Sequence, residues 1–319
     1  MLRLDDGAVI LAATDVSAYL GCKHLTQQRL AIVREERGRP RPVDDPHADL
    51  IRHRGEAHEQ EQLERLSLEC GGHVDLSTDR ATYTRQGLEA AAELTVQAMR
   101  DGAPLIYQAQ LFDGLWQGRA DFLRKVSCAS TFGEFAYEVL DTKLARGLKP
   151  PVVHQLSLYN RLVGRIQGAE AAHAHVVLGD GSISAIDLRR YAALHRRVAG
   201  RLEELVREPG LATYPEPVPH CGICAFVDEC HTRWVKDDHL SLVAGARRDQ
   251  RERLVELGLS TVLELAEAPP DIETESLGRE RFEILREQAG LQVASRATGL
   301  PTHRHLAPRH AAGYALLPA

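Results

Sequence analysis

Apolar and polar residues are mixed over the first hundred positions in the long stretches typical of helices. Thr14 is predicted to be the N-cap of a first helix, with an acid in its first turn, and that helix reaches Cys22. A second helix is predicted over about 48–69 and ends at Gly71-Gly72, because glycine is common at helix C-termini. A third helix is predicted over about 84–100.

The pattern changes over residues 105–143, where short runs of aliphatic and aromatic residues are separated by breaks rich in glycine and serine. The runs LIYQAQLF, GRADFLRKV and FAYEVLDTKL predict three strands in a meander. A helix is then expected from Pro150-Pro151 to about Val163, with Gly164 after it. A hairpin with Asp180-Gly181 in its turn and a helix over about 187–208 follow. This order of elements predicts an α/β fold.

Three regions are expected along the chain. The first domain covers residues 1–236, residues 237–300 read as helical and strand-poor, and residues 301–319 read as a loop-like tail. The sequence ends on ALLPA, which leaves open whether it is a fragment of a longer protein.

Composition limits the partners. The 319 residues include 44% hydrophobic and 26% charged residues, and no run approaches the ~18 apolar residues of a membrane span. The start does not resemble a secretory signal, so we expect a cytoplasmic protein without a membrane partner. The net charge of −6 argues against bulk attraction to nucleic acid. Local basic stretches at 23–41 and 143–165 still allow a basic groove, although solvated helix faces would look the same.

Cysteine spacing indicates a metal centre. Cys221, Cys224 and Cys230 form a C-x2-C-x5-C pattern, and Cys22 lies far upstream. Thiolates are good ligands for zinc and for iron–sulfur clusters, and such centres usually have four protein ligands. Three cysteines at this spacing therefore need one further ligand. Cys22 would complete the set and join the two ends of a domain. Zinc, with a neighbouring histidine (His220 or His231) in place of Cys22, stays an alternative.

Two aspartates and a lysine are the candidate catalytic residues. Side chains alternate along a strand, so Asp141 and Lys143 are expected on one face, and Asp121 belongs to the preceding strand. A buried ion pair or a turn aspartate would be the plainer interpretation. The chain has only five lysines among its 39 basic residues, however, so a lysine on a buried strand is notable. Two carboxylates on adjacent strands can bind Mg²⁺ or Mn²⁺.

Three further residues fit the same site. His58 follows Gly55 on the second helix, and a glycine inside a helix usually has a packing or functional reason. Gln155 and Tyr159 are one turn apart on the helix after Lys143, where both can donate hydrogen bonds. Each residue alone has a plainer interpretation, as a satisfied histidine or a pair at the edge of the core.

The order of these motifs is more specific than any one of them. G-x2-H, G-x-x-D, D-x-K and Q-x3-Y, bracketed by one cysteine and C-x2-C-x5-C, resemble the RecB-like branch of the PD-(D/E)xK nuclease superfamily. The resemblance is closest to members with an iron–sulfur cluster, such as the CRISPR-associated RecB-like nucleases and the AddB subunit of helicase–nucleases. It covers about residues 14–236 and implies a restriction-endonuclease-like core, a mixed central sheet flanked by helices, with a helical C-terminal extension.

The resemblance also implies roles for these residues. His58, Asp121 and Asp141 match the ligands of Mg²⁺ or Mn²⁺, Lys143 the catalytic lysine, and Gln155 and Tyr159 the element that handles DNA. The four ligands of a [4Fe-4S] cluster would be Cys22, Cys221, Cys224 and Cys230. Two extra acids, Glu59 and Glu138, leave the exact metal shell open.

The expected function is that of a divalent-metal-dependent DNA nuclease, most simply a single-stranded DNA exonuclease with a role in DNA repair and a helicase or further nuclease domain as partner. The alternative is a catalytically silent, nuclease-like scaffold that binds nucleic acid and carries a structural zinc or iron–sulfur site. Downstream, residues 258–266 (GLSTVLELA) resemble a helix-hairpin-helix module, whose backbone amides contact phosphates, although a plain helical extension fits as well.

Overall fold

The computed structural model describes residues 1–40, 46–78, 82–208, 210, 212–274 and 277–305. The chain divides into two compact units, Met1–Ala225 and Phe226–Ala319. The first unit ends upstream of the boundary predicted at Lys236. Most of the predicted loop-like tail, residues 306–319, lies outside the described residues. In the part of the chain that is described, no helix is both long and apolar enough to span a bilayer.

The first unit is an α/β structure built on a mixed six-stranded sheet. Its helices are α1 (Ala13–Gly21), α2 (Lys23–Val33), α3 (Pro46–Cys70), α4 (Arg85–Arg100), α5 (Pro150–Gln167) and α6 (Arg189–Arg207). A short ribbon of β1 (Leu2–Arg3) and β2 (Val9–Ile10) precedes the sheet strands β3 (Val74–Asp75), β4 (Leu105–Phe112), β5 (Gln117–Val126), β6 (Ala136–Thr142), β7 (His173–Val177) and β8 (Ile183–Asp187).

The sheet strands lie side by side in chain order. The predicted meander is confirmed, since β4, β5 and β6 pair antiparallel. The predicted hairpin is also confirmed: β7 pairs antiparallel with β8, and Gly181 in its turn has a φ of +81°. Two parallel pairs, β3 with β4 and β6 with β7, make the sheet mixed. The second follows from the chain order, because α5 carries the chain from the end of β6 back to the start of β7.

Helices cover both faces of this sheet. On one face, a large buried cluster joins apolar residues of α1, α4, α5 and α6 to the sheet, including Val16, Met99, Leu158 and Leu202. On the other face, Leu63 and Leu66 of α3 pack on Tyr107, Phe122 and Leu140. The helix α3 follows its prediction closely and ends before Gly71 and Gly72, which both have positive φ angles.

Two predicted helix ends are wrong. The N-cap of α1 is Ala12 rather than Thr14, and the Asp15 carboxylate accepts the Ala12 N–H at 2.9 Å. The helix α5 runs through Gly164 to Gln167 and stops at Gly168, where φ is +83°. Gly164 is there for packing, because a Cβ at that position would lie 2.7 Å from the Glu170 side chain.

The second unit is helical, with α7 (Val227–Lys236), α8 (Arg248–Glu256), α9 (Val262–Glu267) and α10 (Arg279–Thr298). A separate buried cluster holds it together and includes Leu254, Leu265 and Phe282. This unit therefore has a core of its own.

Candidate functional site

The candidate active site lies where strands β5 and β6 separate. Their backbone ladder begins at Phe122↔Leu140 and does not extend to the next pair, Asp121 and Asp141. Instead, the Asp121 Oδ2 atom accepts the Thr142 backbone N–H at 2.8 Å and the Thr142 hydroxyl at 3.0 Å. The carboxylate of Asp121 thus takes the place of a backbone carbonyl at the end of the ladder.

Asp141 is fully buried, and both of its oxygens face a polar partner. Gln155 Nε2 donates to Oδ1 at 3.0 Å, and the Lys143 ammonium forms an ion pair with Oδ2. The Lys143 side chain remains about one third exposed, while its backbone N–H bonds to Val177 O at 2.9 Å. The structure therefore brings Asp141 and Lys143 together, as strand alternation predicts.

The electrostatics of this pair of carboxylates are unfavourable for two ionised acids. Burial and the charge of Asp141 raise the pKa of Asp121 to about 7. Burial likewise raises the pKa of Asp141, although the Lys143 ammonium opposes that change. Burial lowers the pKa of Lys143, but the charges of Asp141 and Asp121 outweigh it, so the net shift is upward. One ammonium does not compensate both carboxylates of buried Asp141 and half-buried Asp121, and an added cation would favour their ionised forms.

The helix α5 places Gln155 and Tyr159 over this site. Gln155 Nε2 lies 3.5 Å from the Tyr159 hydroxyl, and the Tyr159 ring packs directly on the backbone of Gly118. A Cβ at Gly118 would be 2.2 Å from Tyr159 Cε1, so only glycine fits there. Burial and the charge of Asp141 raise the pKa of the Tyr159 hydroxyl, which keeps it a neutral donor.

The helix α3 contributes His58 and Glu59. His58 is 8% exposed, and its Nε2 atom has no hydrogen-bond partner among the residues that the structure describes. It makes no hydrogen bond to Asp121 or Asp141. Glu59 accepts a hydrogen bond from Gln108 Nε2, and burial together with the charge of Asp121 raises its pKa. The structure thus gives Glu59 a direct electrostatic link to the site. Close packing does not explain the glycine at position 55 of this helix, since a Cβ there would meet nothing within 4 Å.

Glu138, the other extra acid, belongs to a different environment. Its Oε2 atom lies 2.8 Å from His175 Nε2 and 3.7 Å from Arg124 Nη2. The hydrogen bond to His175 lowers the pKa of Glu138 despite its partial burial. Side-chain alternation from Asp141 sends Glu138 to the opposite face of β6, so it does not supplement the two aspartates.

A groove leads away from Lys143. It has a volume of about 420 Å³ and includes Gln155, Tyr159, Arg29 and His220 in its lining. Arg29 comes from the basic stretch at 23–41, although the sequence did not distinguish it from its basic neighbours. The lining combines basic side chains with neutral hydrogen-bond donors such as Gln155 and Tyr159, which suits the sugar–phosphate backbone of a nucleic acid.

Three of the predicted cluster cysteines lie in the first unit. Cys22 is the N-cap of α2, and its Sγ accepts the Leu25 N–H at 3.4 Å. Cys221 lies in the short 3-10 helix Pro219–Ile223, and its Sγ accepts the Val218 N–H at 3.4 Å. The backbone N–H of Cys224 bonds to Cys221 O at 3.2 Å.

The packing of neighbouring residues links the chain beside Cys22 to the chain beside Cys221. A Cβ at Gly21 would lie 3.1 Å from Nδ1 of His220, so these two residues are in close contact. Cys230 lies on α7 in the second unit. The remaining cysteines, Cys70 and Cys128, are free thiols.

No cluster of three or more histidine, cysteine, aspartate or glutamate side chains has metal-binding geometry within the described residues. The chain matches no family model, and no curated protein shows significant similarity to it. The assignment of a function therefore depends on the residues themselves.

The region that resembles a helix-hairpin-helix module comprises the turn between α8 and α9 and most of α9, with Gly258 at a φ of +82°. Two backbone amides of this turn are already bonded: the Ser260 and Thr261 N–H groups donate to Glu264 Oε2 at 2.7 and 3.0 Å. A phosphate would have to displace the Glu264 carboxylate to reach them. A helical extension without this role accounts for the contacts equally well.

Proposed function

We propose that the chain is a divalent-metal-dependent DNA nuclease of the RecB-like PD-(D/E)xK type, acting on single-stranded DNA as an exonuclease. The observation that carries the proposal is the pair of carboxylates at the point where β5 and β6 separate, half-buried Asp121 and buried Asp141, with Lys143 in contact with Asp141. When both acids are ionised, one ammonium leaves a net negative charge that a bound cation would compensate.

The donor set suits Mg²⁺ or Mn²⁺. Asp121 and Asp141 offer carboxylate oxygens, the ligands that these hard cations prefer. Nε2 of His58, which no described residue bonds, is a buried nitrogen donor on α3. The cation would polarise the scissile phosphate and lower the pKa of a bound water.

The remaining side chains have separate tasks in this proposal. Lys143 holds a fixed positive charge beside the carboxylates, where the phosphate develops negative charge during attack. Gln155 keeps Asp141 in place through its hydrogen bond to Oδ1. The Tyr159 hydroxyl stays protonated and donates a hydrogen bond to a phosphate of the DNA strand. Arg29 binds a phosphate of the same DNA strand in the groove.

We also propose that Cys22, Cys221, Cys224 and Cys230 bind a structural [4Fe-4S] cluster. The N–H···S bonds to Cys22 and Cys221 support this ligand role, since such bonds stabilise thiolate ligands and tune cluster potentials. Zinc stays the competing metal. Of its two candidate histidines, His220 lines the groove, whereas His231 packs edge-on against Trp234.

The decisive experiment is cleavage of end-labelled single-stranded DNA by anaerobically purified protein with Mn²⁺ or Mg²⁺. The Lys143→Ala variant is compared with Lys149→Ala, an exposed lysine at the N-cap of α5 in the same basic stretch. We expect Lys143→Ala to lose activity by about 10²- to 10³-fold, as when one transition-state donor is removed, while Lys149→Ala stays active.

Two outcomes would contradict the proposal. The first is an absence of cutting by protein that carries its metals. The second is equal cutting by Lys143→Ala and the unaltered protein. Either result, combined with retained binding in a mobility-shift assay, would favour the catalytically silent scaffold.

A further inference from the structure

Strand β4 breaks the alternation of its side chains at Gln108. Ile106 and then Ala109 and Leu111 lie in the same buried cluster, although a regular strand would send Ile106 and Ala109 to opposite faces. The residue between them has a φ of +56°, in the left-handed region that side chains other than glycine rarely adopt. The backbone of Gln108 therefore carries local strain in the middle of the sheet.

The position of this strain is informative. The pairs on either side of it are Tyr107↔Phe122 and Ala109↔Ala120, so Gln108 stands opposite Asp121. Strained backbone conformations persist where surrounding contacts hold them, and they cluster at functional sites. A glycine or asparagine would fit this conformation with less strain, so the choice of glutamine requires a reason in its side chain.

The reason is the contact that the side chain makes. Gln108 Nε2 donates to Glu59 Oε1 on α3, and the next residue of that helix, Gln60, donates through Nε2 to the Tyr107 hydroxyl at 2.8 Å. Two neighbouring strand residues thus fix one turn of α3 beside Asp121. The Gln108 amide is neutral, so it orients the carboxylate of Glu59 without neutralising it.

We propose that Glu59 is a third carboxylate ligand of the divalent cation and that Gln108 is its positioning residue. The inference rests on the proposed nuclease function and extends its ligand set. With Glu59 included, three ionised carboxylates and one ammonium carry a net charge of about −2, which one bound divalent cation would balance. His58 is buried, and its Nε2 atom has no partner within the described part of the chain. It precedes Glu59 on the same turn and is an independent sign that this part of α3 has a ligand.

The test is calorimetric titration of Mn²⁺ into metal-free protein, which needs no DNA and no turnover. Glu59→Gln keeps the shape and removes the charge, and we expect at least a tenfold loss of Mn²⁺ affinity. Glu61→Gln is the matched control, since this acid is exposed on the same helix. Gln108→Gly should weaken Mn²⁺ binding by about 10- to 100-fold, as loss of an outer-shell partner usually does.

Gln108→Gly also separates positioning from a purely structural role. Glycine adopts a positive φ readily, so the metal-free variant should melt at the same temperature as the unaltered protein or higher, although it binds Mn²⁺ more weakly. A variant that melts lower and binds Mn²⁺ normally would show that Gln108 is structural. Thermal melting in EDTA checks the fold of each variant, and Glu59→Asp, which keeps the charge, replaces Glu59→Gln if that variant does not fold.

The metal site and its third carboxylate ligand can be tested separately. If the unaltered protein does not bind Mn²⁺, both the metal site and the inference are overturned. If it binds Mn²⁺ and Asp141→Asn loses that binding while Glu59→Gln keeps it, only the inference is overturned.

Discussion

The close contact between Gly118 and Tyr159 makes a quantitative prediction. In Gly118→Ala, the new methyl group would lie 2.2 Å from Tyr159 Cε1 and 2.7 Å from Cδ1. Both atoms belong to the rigid ring of a 7% exposed residue, so the ring or the strand must move. Overpacking of this kind costs about 1–3 kcal/mol, whereas glycine to alanine in an unobstructed strand gains about 0.5–1 kcal/mol. We therefore expect Gly118→Ala to destabilise the protein by about 1–2 kcal/mol.

The assay is urea unfolding of four proteins: unaltered, Gly118→Ala, Tyr159→Ala and the double variant. Removal of the ring opens the space, so Gly118→Ala should become neutral or stabilising in the Tyr159→Ala background. The coupling between the two sites would then be about 1–3 kcal/mol, within the usual range for residues in contact. Gly55→Ala is the control, since a Cβ on that helical glycine meets nothing within 4 Å and should stabilise the protein by up to about 1 kcal/mol.

Activity provides a second reading of the same variants. A displaced Tyr159 ring would disturb Gln155, which bonds both the tyrosine hydroxyl and Asp141. Gly118→Ala should therefore cut DNA more slowly than its loss of stability explains. An equal energetic effect of Gly118→Ala with and without the ring would refute the steric argument.

Three further predictions concern charge and metal. The raised pKa of Asp121, about 7, means that the folded protein binds a proton more tightly than the unfolded chain, so the contribution of this group to stability falls as pH rises from about 4 to 7. Urea unfolding in EDTA should show that stability depends less on pH in Asp121→Asn than in the unaltered protein. An unchanged pH dependence would contradict the raised pKa. Anaerobically purified protein should contain iron and acid-labile sulfide. Cys22→Ser and Cys221→Ser should lose both, whereas Cys128→Ser, a change at an exposed thiol, should keep them. Zinc in place of iron and sulfide would reject the iron–sulfur proposal. Arg29→Ala should reduce the salt dependence of single-stranded DNA binding by about 0.7 in slope, as one lost phosphate contact does, while exposed Arg190→Ala on α6 should not.

Local patterns in the sequence predict much of the fold. The meander, the hairpin and α3 follow from alternation, turn glycines and helix stop signals, which depend on neighbouring residues alone. Gly164 resembles a helix stop signal and therefore predicts too early an end for α5, whereas its role is close packing against Glu170. The sequence predicts Thr14 as the N-cap of α1, but the side chain that bonds to the first turn is Asp15, whose carboxylate accepts the Ala12 N–H.

In the candidate site, too, local relations are predictable from the sequence and contacts between distant segments are not. The proximity of Asp141 and Lys143 was predictable, since both residues belong to one strand. The link between Glu59 and Gln108 was not, because it depends on a left-handed residue inside a strand, which no sequence pattern of glutamine indicates. The tyrosine that excludes every residue but glycine from position 118 likewise comes from a distant helix.

The hydrogen bond from the Thr142 amide to the Asp121 carboxylate has a spectroscopic consequence. In a ¹⁵N-labelled sample, the nuclear magnetic resonance signal of this single amide senses the acid to which it is bonded. A change of protonation at Asp121, or capture of its oxygens by a cation, would shift that one resonance. The fold thus contains a built-in reporter through which occupancy of the site can be followed in solution without substrate or mutation.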